Sequence, residues 1–177
     1  MTGSDREPMA SRTPEPVPVA ASAASPAGWY VEDALPGTVL VHPHGRSIDE
    51  AEHVWLAWIT DNVSDVHGNA DAASRTAWGQ PIVLGALTAA IVIGLAAPAP
   101  GDAATAGTVG WDDGWISIRL TGAVLPGDTI RAESIIHAVI RNTGGPAGRV
   151  RRTILGRNQR DEIIATIEES RAVPRRY

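Results

Sequence analysis

The chain has 177 residues, enough for one domain with a tail. A compact chain of about 150 residues buries roughly 70% of its unfolded surface, so a real core is possible. There is no Cys, and all 15 basic residues are Arg, which excludes disulfides, thiol nucleophiles, thiolate metal sites, Schiff-base lysines and P-loop lysines.

Six Trp, two Tyr and no Phe leave the core to aliphatic side chains. The net charge of −5 argues against nucleic acid as a partner. The charge is uneven: residues 141–177 hold nine Arg against four acids, or +5, and the remainder sums to −10. This basic third is either a phosphate-binding surface or a solvated strand face. The longest apolar run, residues 82–97, is shorter than the ~20 residues of a spanning helix. The N-terminus is acidic and proline-rich without an apolar signal core. These features predict a cytoplasmic protein with no membrane contact.

Residues 1–28 are rich in Pro, Ala and Ser and read as a flexible tail before a single domain over 29–177. The rings of Trp29 and Tyr30 are expected to dock on that domain. A short strand is predicted over 38–42, after the Pro36-Gly37 turn. Ser47 and Glu50 have capping-box spacing and open a helix that runs to about residue 60, with Ala51, Val54, Ala57 and Trp58 as its apolar face. Residues 61–69 read as a polar loop, and 69–76 as a short helix. The Ala-rich run over 84–97 predicts a helix buried on most sides.

Beyond Gly101 the period changes to two. Strands are predicted over 115–120, 129–140, 150–155 and 163–169, joined by turns at 125–128, 144–146 and 160–161. Long strands with short turns make an antiparallel sheet. One apolar helix followed by that meander predicts an α+β layer in which the sheet wraps the helix.

Three segments carry a resemblance. Residues 45–52 read Gly-Arg-Ser-Ile-Asp-Glu-Ala-Glu, residues 60–69 read Thr-Asp-Asn-Val-Ser-Asp-Val-His-Gly-Asn, and residues 78–88 read Trp-Gly-Gln-Pro-Ile-Val-Leu-Gly-Ala-Leu-Thr. Supporting matches lie at 126–129 and 158–162. In this order and spacing they resemble the MaoC-like hydratase/dehydratase family, which implies a hotdog fold. The family pattern places Asp five residues before its His. Here His67 fits, but Asn62 stands in the Asp position. Asn there is similar to the mesaconyl-CoA hydratase (β-methylmalyl-CoA dehydratase) branch. The chain departs from that branch at Asp65, Asn69, Leu84 and Asp161, where Pro, Asp, Asn or His, and Gly are usual.

The resemblance implies a hydro-lyase acting on an enoyl or 3-hydroxyacyl thioester, carried by coenzyme A or an acyl-carrier protein. It also implies a homodimer or higher homo-oligomer. Hydration of a conjugated double bond needs a base, a proton donor for the α-carbon and a group for the enolate oxygen. His67 suits the proton work, because imidazole is the side chain that changes charge near neutrality. Asn62 cannot titrate and would orient water or substrate. Asp65 would supply the missing charge. Gly85 begins a helix whose free N–H groups and positive end suit an oxyanion, the role that the resemblance also gives it. Val83 and Leu84 flank it as substrate contacts, and Arg149 and Arg151 are candidates for coenzyme phosphates.

Other features carry less. His42 and His44 share a strand face without a carboxylate nearby in sequence, so no metal and no cofactor are expected. His53 and His137 read as structural. Trp111 and Trp115 flank a turn and read as core or pocket wall. Arg46, Arg75 and Arg119 are the cations that a dicarboxylic acyl group would need. Two further readings share the fold: a specialised-metabolism dehydratase, cyclase or isomerase on a non-CoA intermediate, or a catalytically silent partner subunit.

Overall fold

A computed structural model describes residues 30–96, 115–141 and 144–176, with the side chains of residues 115 and 116 left aside. The tail, Trp29 and Trp111 lie outside these residues. The sheet has five strands: β1 (Val39–Ser47), β2 (Trp115–Leu120), β3 (Thr129–Ile140), β4 (Ala147–Arg157) and β5 (Ile163–Pro174). Their order is β1-β3-β4-β5-β2, and every pairing is antiparallel. β1 and β2 are therefore the edges. The proline at position 43 falls in the irregularity between Val41 and Gly45 on β1, the place on an edge strand where a missing N–H does least harm.

Among the described residues four α-helices lie between β1 and β2: α1 (Glu50–Ile59), α2 (Asp65–Gly68), α3 (Ala70–Ser74) and α4 (Gly85–Ala96). α4 is the apolar run seen in the sequence. Its Ala89, Ile91, Val92 and Ala96 pack with Ile130 and Ala132 of β3, Ile154 of β4, and Ile164, Ala165 and Ile167 of β5. The sheet thus wraps α4, as the α+β reading expects. Gly156 on β4 makes the close approach possible, because a Cβ there would overlap the Val92 side chain. A second cluster of Val31, Ala34, Leu40, Ile136, Val150 and Val173 closes the other end of the sheet. None of the helices among the described residues is long and apolar enough to cross a membrane.

Several local expectations change. α1 is capped by Asp49, whose carboxylate accepts from the Ala51 N–H, and not by Ser47. Ser47 is instead the last residue of β1, paired with Thr129 through both backbone and hydroxyl. Sheet pairing outcompetes the capping box. The expected apolar face of α1 is also displaced: the buried residues are His53 and Ala57, while Trp58 is 70% exposed. Within the polar loop a single helical turn, α2, forms around His67.

The β4–β5 turn explains one departure from the family pattern. Asn158 is 1% exposed, and its Oδ1 accepts from the N–H groups of Arg160 and Glu162. Asp161 has φ 65°, the left-handed region that glycine enters without cost and that Asp tolerates.

The basic third divides. Arg152 is buried, and its Nε donates to Glu169 at 2.5 Å. Its other nitrogens reach Ser134 Oγ and the carbonyl of Ala96 at the C-terminus of α4. Arg157 pairs with Glu133 and Arg160 with Glu162. Much of the Arg cluster is therefore committed to intramolecular ion pairs, with Arg152 buried against Glu169 rather than on an exposed strand face.

Candidate active site

The site is built where α2, the loop before α4 and the segment after β2 meet. Val66 and Ile82 are tied by an N–H to carbonyl bond of 3.0 Å, and Val83 donates to the Val124 carbonyl at 2.8 Å. These two bonds pin the approach to α4 between α2 and the 121–124 segment. The hollow between them has a volume of about 330 Å³. His67, Gly85 and Thr88 line it together with Trp78, Ile82, Val83, Leu120 and Val124.

His67 is half-buried, and its Nδ1 lies 2.8 Å from the Ile82 carbonyl oxygen. A carbonyl only accepts, so Nδ1 carries the hydrogen and Nε2 keeps its lone pair. The ring is fixed in one tautomer and can act as a base through Nε2. Gly85 is the first residue of α4, and the first intrahelical bond of that turn is Thr88 N–H to the Leu84 carbonyl. The Gly85 N–H is therefore one of the donors that the helix itself leaves open. A Cβ at position 85 would overlap the Leu120 side chain, so only glycine lets that side chain rest over the helix start.

His53 is fully buried between these two pieces. Its Nε2 lies 2.9 Å from the His67 carbonyl oxygen, and its Nδ1 accepts from the Leu84 N–H at 3.4 Å. The two imidazoles stand edge to face, with centroids 6.0 Å apart. Burial, above all, holds the His53 pKa below its ordinary value. Sequence reasoning assigned His53 only a structural place. Its signal was a histidine four residues before Ala57, on the side of α1 that turns inward, which the sequence of α1 does not reveal.

The structure brings His67, Gly85 and Val83 into one hollow. Asn62 and Asp65 line a different one, with Trp58, Ser64 and Asn69. Asn62 Oδ1 accepts from the Ser64 N–H, and Asp65 Oδ1 accepts from Asn69 Nδ2. Leu84 is 2% exposed and turns into the core next to the hollow. Arg149 and Arg151 pair with Ile140 and Ala138 at the far end of the β3–β4 ladder. They sit roughly 20–26 Å along β4 from Arg157, which lies opposite Ile163 near the hollow. Among the cations considered for a dicarboxylate, Arg46 is engaged by Glu52 and Arg75 by Asp71, and neither these nor Arg119 line the hollow.

Comparison with known proteins adds the following. The model of the MaoC like domain matches residues 32–154. No curated protein matches. An R-hydratase from Pseudomonas aeruginosa is 22% identical, with a TM-score of 0.64 over 84% of this chain and 88% of its own. An (R)-hydratase from A. caviae, involved in PHA biosynthesis, is 21% identical, with a TM-score of 0.60 over 81% of this chain and 99% of its own. A Mycobacterium tuberculosis protein with a double hotdog fold is 16% identical, with a TM-score of 0.69 over 84% of this chain and 45% of its own.

Proposed function

Starting from the fact that this chain belongs to the MaoC-like domain family and has the hotdog fold, we propose that it is a hydro-lyase on enoyl or 3-hydroxyacyl thioesters. The family supports hydration and dehydration in general. The observation that carries the finer reading is the bare Nε2 of His67 sharing a hollow with the open N–H of Gly85.

In the hydration direction, His67 Nε2 takes a proton from water as the water oxygen bonds to the β-carbon. The electron pair of the double bond moves toward the thioester oxygen, where the Gly85 N–H and the positive end of α4 stabilise it. The imidazolium then returns a proton to the α-carbon. Dehydration runs these steps in reverse. Asn62 and Asp65, in the neighbouring hollow, are assigned to the approach of substrate or water rather than to the proton path.

The described lining is apolar apart from His67, Thr88 and Thr121, and it contains no Arg. A neutral acyl group fits this surface better than a dicarboxylic one such as mesaconyl. The edge position of β2, with Ile118 46% and Leu120 48% exposed, supports a homodimer or higher homo-oligomer. Among the described residues no carboxylate lines the hollow beside the ring, and this is the observation that supports the two other readings, the specialised-metabolism enzyme and the silent partner subunit.

Turnover of crotonyl-CoA, hexenoyl-CoA, mesaconyl-CoA, a carrier-bound enoyl thioester and the free acids tests the proposal. The expected result is hydration of neutral enoyl thioesters and none of the free acids. Equal turnover of free acids supports the specialised-metabolism reading. Turnover only after co-expression with a homologue supports the silent subunit.

A further inference from the structure

We propose that His53 is a positioning residue that sets the distance between the proton-transfer group and the oxyanion-binding helix start. The inference rests on the hydro-lyase reading above and deepens it.

The argument begins with hydrogen positions. The His67 carbonyl accepts and cannot donate, so His53 Nε2, 2.9 Å away, carries a hydrogen. The Leu84 N–H donates and cannot accept, so His53 Nδ1 presents its lone pair at 3.4 Å. Both contacts are satisfied by one neutral tautomer, and a second proton on the ring would break the bond to Leu84. The ring is 0% exposed, so neither bond competes with water.

The two partners belong to different elements. His67 lies on α2, a single turn with no buried residue of its own, and it gains little from packing. Leu84 immediately precedes Gly85, and its carbonyl receives both the Thr88 N–H and the Thr88 hydroxyl. One imidazole on α1 thus ties the backbone of the base to the backbone of the helix start. His67 holds on from the other side, through Nδ1 to Ile82. Together the two rings close a circuit from His53 to His67, Ile82, Leu84 and back. Loss of the His53 link leaves α2 tied to the approach to α4 only through Ile82, so that the base can shift against Leu84 and the helix start. Misplacement of a reacting group by an ångström costs about 100-fold in rate.

The test is His53→Leu, which fills the space without either bond, against His53→Gln, whose amide offers one donor and one acceptor at the end of a side chain of similar reach. For crotonyl-CoA hydration, His53→Leu is expected to lose about 100-fold in kcat with KM changed far less. His53→Gln is expected to recover most of that loss. A folded His53→Leu with the kcat of the parent, or a His53→Gln as impaired as the Leu variant, overturns the proposal. Imidazole ¹⁵N shifts provide a reading independent of turnover. The full chain should show His53 protonated at Nε2 and bare at Nδ1 at neutral pH, with His67 protonated at Nδ1. In His53→Leu the His67 ring should become a mixture of tautomers. A His53 ring protonated at Nδ1, or a His67 tautomer indifferent to His53→Leu, overturns the positioning role. If the parent turns over no thioester while the shifts behave as expected, the hydro-lyase reading fails and the clamp stands.

Discussion

His67 Nδ1 lies 2.8 Å from the carbonyl oxygen of Ile82, and this one contact decides both where the ring points and which nitrogen can accept a proton. Ile82 is also the residue whose N–H is held by Val66, next to His67 in α2. The base is therefore fastened to the segment that leads into α4, so that ring and helix start are positioned by the same few bonds.

Gly85→Ala tests the other half of the site. The added methyl overlaps the Leu120 side chain, which is 48% exposed and able to swing aside. The cost therefore falls on the hollow and not on the fold. A Gly85→Ala variant is expected to keep its Tm within a few degrees and to lose about ten-fold in kcat/KM, the scale of one misplaced methyl group in a binding site. Adding Leu120→Ala should restore part of the loss. Thermal melts with crotonyl-CoA kinetics check both.

His42 predicts acid sensitivity. It is 5% exposed, bonded to Ser134 Oγ at 2.8 Å, and burial followed by the nearby Arg152 charge lowers its pKa to about 4. The unfolded chain takes up the proton near the ordinary value of 6.5, while the folded chain resists it until about 4. Stability tied to this ring is therefore complete above pH 6.5 and is lost as pH falls toward 4. After allowance for solvent screening, the loss is roughly 1–2 kcal/mol. Urea midpoints across that range should fall, and His42→Gln should flatten the slope.

The Arg152–Glu169 pair predicts an asymmetry. The two side chains are 5% and 11% exposed, and removal of one strands a buried charge. Arg152→Met or Glu169→Gln is expected to cost about 3–5 kcal/mol. The double variant Arg152→Met with Glu169→Gln should cost clearly less than the sum of the single variants. Denaturant unfolding of all three variants reads the coupling.

Much of the fold is legible in the chain. Period-two runs locate β2 to β5, and the Ala-rich run locates α4, because each pattern repeats over enough residues to outweigh local noise. The motif resemblance points to His67 and Gly85, which the structure places in one hollow. The capping of α1 was misread because Ser47 has two possible partners, and only the sheet register shows that Thr129 takes it. Burial of Arg152 depends on Glu169 standing opposite it across the β4–β5 ladder, a long-range pairing with no local trace. His53 was legible as a residue but not as a clamp. Trp55 and Trp58 make the outer side of α1 more apolar than its inner side, which reverses the usual inference from amphipathicity.

The separation of the two hollows gives a ranking among the candidate residues. Asn62→Ala and Asp65→Ala alter groups that do not line the hollow of His67, and each is expected to change kcat by less than about ten-fold, short of what loss of an acid–base group costs. Steady-state kinetics on crotonyl-CoA, beside the parent chain, read this directly.

The central claim is that the His67 imidazole moves the proton. Hydration of crotonyl-CoA by His67→Gln, with folding verified by its melting curve, tests it most directly. The account predicts a fall in kcat of about 100-fold or more, with KM little changed. A folded His67→Gln that hydrates the thioester at the parent rate would contradict it.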